Sequence, residues 1–158
     1  MAEKTAFIED MFLQGCAFEK CGSLCYNNGK SQFFLSHPVI VNYSFACEVF
    51  LKALLFFHLG EIQSGHRLYE LFSLLPDQSK KDIQQAVLMK YSQWNDAFGH
   101  PLLCQISDAF VEWRYSYEIT SGGNNHAANI GFLIAFCEVL HKKCCEEIPA
   151  CMKGELIL

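Results

Sequence analysis

The chain has 158 residues, of which 51% are hydrophobic, 14% aromatic and 18% charged. One domain with a substantial core fits that length, and a disordered chain or an acidic tail is excluded. Acidic residues outnumber Lys plus Arg by 17 to 12, a net charge of −5, which also excludes a strongly basic nucleic-acid wrapper.

Hydrophobic spacing is helical almost throughout, with no period-two segment, repeat or long linker. Five main helices and one short helix are predicted. The first covers about residues 3–26, with Ile8, Met11, Gly15, Phe18, Gly22 and Cys25 on one stripe. The two glycines on that stripe would admit a close neighbour; the alternative is that Gly22 frays the helix end. A second helix runs from Ser36 to a stop at Gly60, with Pro38 in its first turn. Its stripe is Ile40, Ser44, Cys47, Leu51, Leu54 and His58, widened by Val41, Glu48 and Leu55, as expected of a central helix.

A short helix follows Ser64, with Leu68, Leu71, Phe72 and Leu75 inward and Pro76 as its end. The fourth begins near Asp77 or Ser79, where Ser79 and Asp82 have capping-box spacing, and buries Ile83, Val87, Tyr91, Trp94 and Phe98. The fifth covers about residues 103–120, with Ile106, Phe110, Trp113 and Tyr117 inward. Asn125 is the expected cap of the last helix, which runs to about residue 147 and buries Ile130, Leu133, Ile134, Cys137, Leu140 and Cys144. The tail from Pro149 is expected to be poorly fixed. Short connections between long amphipathic helices imply an all-α, antiparallel up-and-down bundle in a single domain, 1–158.

Residues 39–59 are long enough to span a bilayer but contain Glu48 and Lys52, each costing roughly 2.5–3.5 kcal/mol near its centre. A buried core helix explains the same apolarity, so no membrane association is expected. The nine cysteines include no Cys-x-x-Cys pair, and the N-terminus lacks a signal core, so a reducing, cytoplasmic setting is expected. Cys144, Cys145 and Cys151 with His141 match no standard zinc spacing and are read as packing thiols; no metal or cofactor is expected.

Three polar positions break the pattern. Glu48 falls on an inward face with Lys52 one turn later, and a buried carboxylate needs a partner. Arg114 is one of only two arginines and sits among aromatic residues, beside Trp113, three residues before Tyr117 and four before Glu118. Its guanidinium can take a carboxylate or phosphate; the favoured alternative is an internal pair with Glu118 or Glu48 that fixes helix register. His66 opens the short helix, where it can meet an anion or, more commonly, bond an uncapped backbone group. The stripe of Trp94, Phe98, Phe110 and Trp113 is read as core rather than as a base-stacking platform.

Three segments, Phe45-Ala46-Cys47-Glu48-Val49-Phe50-Leu51-Lys52, Gly65-His66-Arg67-Leu68-Tyr69-Glu70-Leu71, and Ala109-Phe110-Val111-Glu112-Trp113-Arg114-Tyr115-Ser116-Tyr117-Glu118, resemble the HEPN superfamily of small helical bundles. The resemblance implies a homodimer, frequently of toxin–antitoxin or antiphage systems and encoded beside a partner protein. Many such proteins are metal-independent ribonucleases that use an Arg followed four to six residues later by a His. Here those positions after Arg114 are Glu118, Ile119 and Thr120, so the ribonuclease motif is absent. The expected function is therefore a HEPN-like module binding a nucleotide, RNA or partner protein through Arg114, Lys52, Glu48, His66, Tyr117 and Glu118. The alternatives are a divergent ribonuclease that uses His126, and a purely structural helical dimer.

Overall fold

The computed structural model describes residues 2–28, 36–92, 100–114 and 128–151. These form seven helices: α1 (Ala2–Asn28), α2 (Ser36–Leu59), α3 (Leu68–Ser73), α4 (Asp77–Lys90), α5 (His100–Ser107), α6 (Ala109–Arg114) and α7 (Ile130–Glu147). No strand occurs among the described residues.

The protein folds around α2. Ile40, Cys47, Phe50, Leu51, Leu54 and Leu55 are all buried on it, and it packs against α1, α3, α6 and α7. By length and composition α2 could cross a membrane, but 72% of its most apolar stretch is buried inside the bundle. That is what an apolar helix does when it has partners on every side.

Chain direction follows from pairwise contacts. Phe7 meets Phe56 and Phe18 meets Phe45, so α1 is antiparallel to α2. Lys90 reaches Glu138 and Asp82 accepts from Lys143, so α4 is antiparallel to α7. Between α2 and α7 the pairs ascend together: Cys144 Sγ donates to Phe50 O at 3.6 Å, and His58 meets Glu147. The four long helices therefore alternate up, down, up, down in chain order, as the all-α up-and-down reading requires.

The glycine stripe of α1 faces aromatic side chains of α2. A Cβ on Gly15 would lie 2.5 Å from Phe50 Cε1, and one on Gly22 would lie 2.7 Å from Tyr43 Cδ2. Both rings are buried and have little room to withdraw. The close approach expected of these glycines is thus made by rings, and it turns their stripe into the core.

Several local expectations need correction. His58 is exposed, because the last turn of α2 projects past the core. The capping box does not form: α4 starts at Asp77 after Pro76, Ser79 Oγ donates to Glu147 Oε1 and Asp82 accepts from Lys143. Both side chains are drawn away from their own backbone toward α7. The fifth helix is broken at Asp108 into α5 and α6. Ser107 and Asp108 turn toward the segment before α3, where Ser107 Oγ accepts the Tyr69 N–H at 3.0 Å and Asp108 accepts from Arg67 Nε. The last helix begins at Ile130, capped by Asn129, whose Oδ1 accepts the Phe132 N–H at 3.0 Å. Trp94, Phe98, Asn125 and the end of the tail lie outside the described residues, whereas Cys151 is buried.

Polar ties lock α7 to its neighbours. Lys143 Nζ bridges Asp82 at 2.7 Å and Glu147 at 2.9 Å, and Glu147 also accepts from His58 and Ser79. Burial would raise the Glu147 carboxyl, but these donors hold it below its usual range. On the α1 side, His141 Nδ1–H donates to Glu19 Oε2 at 2.5 Å. Burial disfavours its charge, yet the Cys16 and Glu19 hydrogen bonds prevail and push His141 up to about 10.

Two predictions follow from this packing. Gly15→Ala gains up to about 1 kcal/mol of helix propensity but overpacks the fixed Phe50 ring by about 1–3 kcal/mol, so net loss is expected. Gly131→Ala, whose added Cβ meets Tyr91 only at 3.4 Å, is expected to be neutral or stabilising. Urea denaturation of the two variants measures the contrast. The second prediction concerns pH. The folded pKa of His141 lies above its unfolded value of 6.5, so its contribution is complete below 6.5 and is lost as pH rises through about 10. Each unit of that window is worth at most about 1.4 kcal/mol. Thermal denaturation between pH 6 and 10 should show a falling Tm, with a shallower fall in His141→Gln.

Candidate functional site

Glu48 is the one charged residue buried among the described positions, and its side chain is 3% exposed. It sits midway along α2, where helical spacing turns it inward between Ser44 and Leu51. A carboxylate there cannot be left without partners. Lys52, one turn later, donates from Nζ to Oε1 at 2.8 Å, and His66 donates from Nδ1 to the same oxygen at 2.9 Å. The bond to the carboxylate fixes the His66 tautomer with a proton on Nδ1. Oε2 is buried without a hydrogen-bond partner.

His66 does not open the short helix. It stands in the extended segment before α3, whose N-cap is Arg67, and its side chain is 58% exposed. The segment is held from both sides. Gly65 adopts φ +91°, which places the turn just before His66. Arg67 then spans Asp108 at 3.0 Å and Glu70 at 2.8 Å, and these hydrogen bonds, Asp108 first, raise its pKa further.

α6 packs on α2 beside this cluster. Phe110 stacks on Phe45 with ring centroids 4.8 Å apart, and the His66 ring lies 6.3 Å from Phe110. The Arg114 guanidinium lies over Phe110, 4.7 Å from its centroid. Trp113 packs edge-on against His37 of α2 at 4.9 Å.

Arg114 is therefore not the internal partner of Glu48. It is exposed, and it reaches the cluster only through Phe110. Phe110 and Arg114 share one face of α6: the Phe110 ring packs on Phe45 of α2, and the Arg114 guanidinium lies over that ring rather than reaching Glu48. The structure brings Glu48, Lys52 and His66 together and places Arg114 at their edge; Tyr117, Glu118 and His126 lie outside the described residues. Sequence reasoning missed the bridging role of Phe110, although its spacing three residues before Trp113 and four before Arg114 put all three on one face.

None of these residues lines the open groove of about 320 Å³ formed by Lys4, Thr5, Ile8, Phe57, Ile148, Pro149 and Ala150. Among the described residues no group of three or more His, Cys, Asp or Glu side chains is arranged to hold a metal ion. No family model matches this chain, and neither a curated protein nor a solved structure matches it significantly.

Glu48 and Arg114 should differ in their contribution to stability. Glu48→Gln removes a buried charge from Lys52 and His66, both partly exposed and able to turn to water, so a loss of about 1–3 kcal/mol is expected, below that of a fully buried pair. Arg114→Ala removes an exposed cation–π contact worth about 0.5–1 kcal/mol and should cost less than Glu48→Gln. Chemical denaturation of both variants gives the comparison, and a larger loss for Arg114→Ala would contradict the placement of these groups.

Proposed function

We propose that the chain is a HEPN-like binding module for nucleotide phosphates, acting without the Arg–His ribonuclease chemistry. The observation that carries this reading is the cationic, aromatic face built on Glu48. The buried carboxylate anchors Lys52 and His66 from separate elements, and beside them Phe110 carries Arg114. A guanidinium is a planar fork that can bond a phosphate bidentately, and the ring beneath it sets the plane of that fork. Lys52 and the exposed His66 add further donors, while Glu48 holds them in place and contributes no anion at the surface.

The chain's acidic balance favours a single nucleotide or a short single-stranded segment over extended RNA, whose affinity leans on many cationic contacts. The homodimer implied by the same resemblance would use the outer face of α1, where Leu13 and Leu24 are exposed. The glycine stripe is not available for it, being engaged with Phe50 and Tyr43.

Thermal denaturation with ATP, GTP, AMP and a short oligoribonucleotide tests the proposal. A ligand present at a hundred times its Kd stabilises the fold by about 2.7 kcal/mol, a shift of several degrees at this chain length. Arg114→Gln should fold normally and lose that shift. Absence of a shift with every nucleotide and with the oligonucleotide would overturn the reading and leave a partner protein as the ligand. Light scattering on the same samples reports the oligomeric state, and a monomer at micromolar concentration would remove the dimer.

A further inference from the structure

A second polar cluster lies between α1 and α7, apart from the face described above. Cys16 and Glu19 are three residues apart on α1 and share one side of it. Both reach His141 of α7: Nδ1 bonds Glu19 Oε2 at 2.5 Å, and Nε2 faces Cys16 Sγ at 3.9 Å. The imidazole is held between two rings, with centroids of Phe12 and Phe50 each 5.3 Å away. The side chains of Glu19 and His141 are 14% and 13% exposed, and Cys16 is half-buried.

We propose that Cys16 is the reactive thiol of this chain, a nucleophile set up by the His141–Glu19 pair and modified by small disulfides. A carboxylate on one ring nitrogen and a sulfur on the other is an arrangement that favours imidazolium beside thiolate over imidazole beside thiol. The two forms contain the same atoms and differ only in whether the proton sits on Nε2 or on sulfur. Glu19 stabilises the cation.

The reaction with a disulfide balances simply. The Cys16 sulfur attacks one sulfur of the reagent, a new S–S bond forms and the reagent's own S–S bond breaks. The other half of the reagent leaves with the electron pair as a thiolate and takes a proton from solvent. His141 keeps its proton and its bond to Glu19.

The other cysteines of this corner lack such a partner. Burial pushes the Cys144 thiol well up and the Cys151 thiol up to about 12, which keeps both protonated. Cys137 is likewise raised by burial and by its contact with Cys47. Cys21 and Cys104 are exposed and serve as internal references. Of the titratable groups around Cys16, His141 of α7 meets it directly, Cys144 of α7 and Cys151 of the C-terminal turn interact with it electrostatically, and Glu19 of α1 acts through His141, against which α2 sets the Phe50 ring.

The test is site-resolved labelling of the intact folded chain. Iodoacetamide at pH 6.5, followed by peptide mass spectrometry, should label Cys16 at least tenfold faster than Cys21 and Cys104, despite its lower exposure. Between pH 5.5 and 8.5 the Cys16 rate should rise less steeply than the reference rates. Oxidised glutathione should place its mixed disulfide first on Cys16. His141→Gln and Glu19→Gln should remove the advantage of Cys16 and leave the two reference thiols unchanged. Labelling of Cys16 at or below the reference rates in the wild-type chain would overturn the proposal, and that comparison needs no variant to fold.

Discussion

A carboxylate on the innermost helix has to be satisfied before the rest of the bundle can close over it. Glu48 lies among Ser44, Cys47 and Leu51 on α2, where an unpaired charge would be untenable. Lys52 answers it from the next turn, a local solution available to any helix with this spacing. His66 answers it from another element, and that bond has structural consequences. It ties the segment ahead of α3 to the middle of α2. Arg67 then joins that segment to Asp108, and Ser107 satisfies the Tyr69 amide that α3 leaves without a cap. The path from Glu48 thus continues through α3 to the junction of α5 and α6. The placement of Phe110 and Arg114 depends on it.

The opposite side of the molecule is held differently. α7 meets α1, α2 and α4, and each contact joins an apolar seam to an ion pair at its margin. Glu19 with His141 marks the α1 seam, His58 with Glu147 the end of the α2 seam, and Asp82 with Lys143 the α4 seam. Such pairs add modestly to stability where solvent reaches them. They also oppose sliding of one apolar helix along another, because a slip would strand a charge away from its partner. Cysteine fills much of the remaining core, with Cys47, Cys137, Cys144, Cys145 and Cys151 all buried. Small, weakly polar side chains let helices of this aromatic-rich chain approach closely.

The proposed phosphate binding and the packing draw on the same residues. A cation that is to bind phosphate must be held in place yet remain partly exposed. Lys52, 17% exposed, meets that requirement because its anchor is buried and it is not, and His66, 58% exposed, is held by the same anchor. Arg114 meets it through an aromatic surface, with Phe110 itself fixed on Phe45. The inert thiols and the paired Cys16 make a similar contrast. Burial pushes the Cys144 and Cys151 thiols up, whereas half-buried Cys16 has the His141 imidazole beside it.

The sequence by itself determined the long helices, their alternation and most of the inward residues. A period of 3.6 residues is a local property, and the stripes through Ile8 and Gly15, Ile40 and Leu54, and Leu133 and Leu140 are all buried as their spacing requires. It also determined the Glu48–Lys52 pair, which lies within one helix. Only the tertiary structure decided the break at Asp108, the exposure of Arg114, the loss of the Ser79–Asp82 cap and the meeting of Cys16 and Glu19 with His141. The break, the lost cap and the meeting at His141 are each settled by a partner 41 to 125 residues away. Such a partner's position is fixed only when the apolar faces have packed, so no local spacing can announce it.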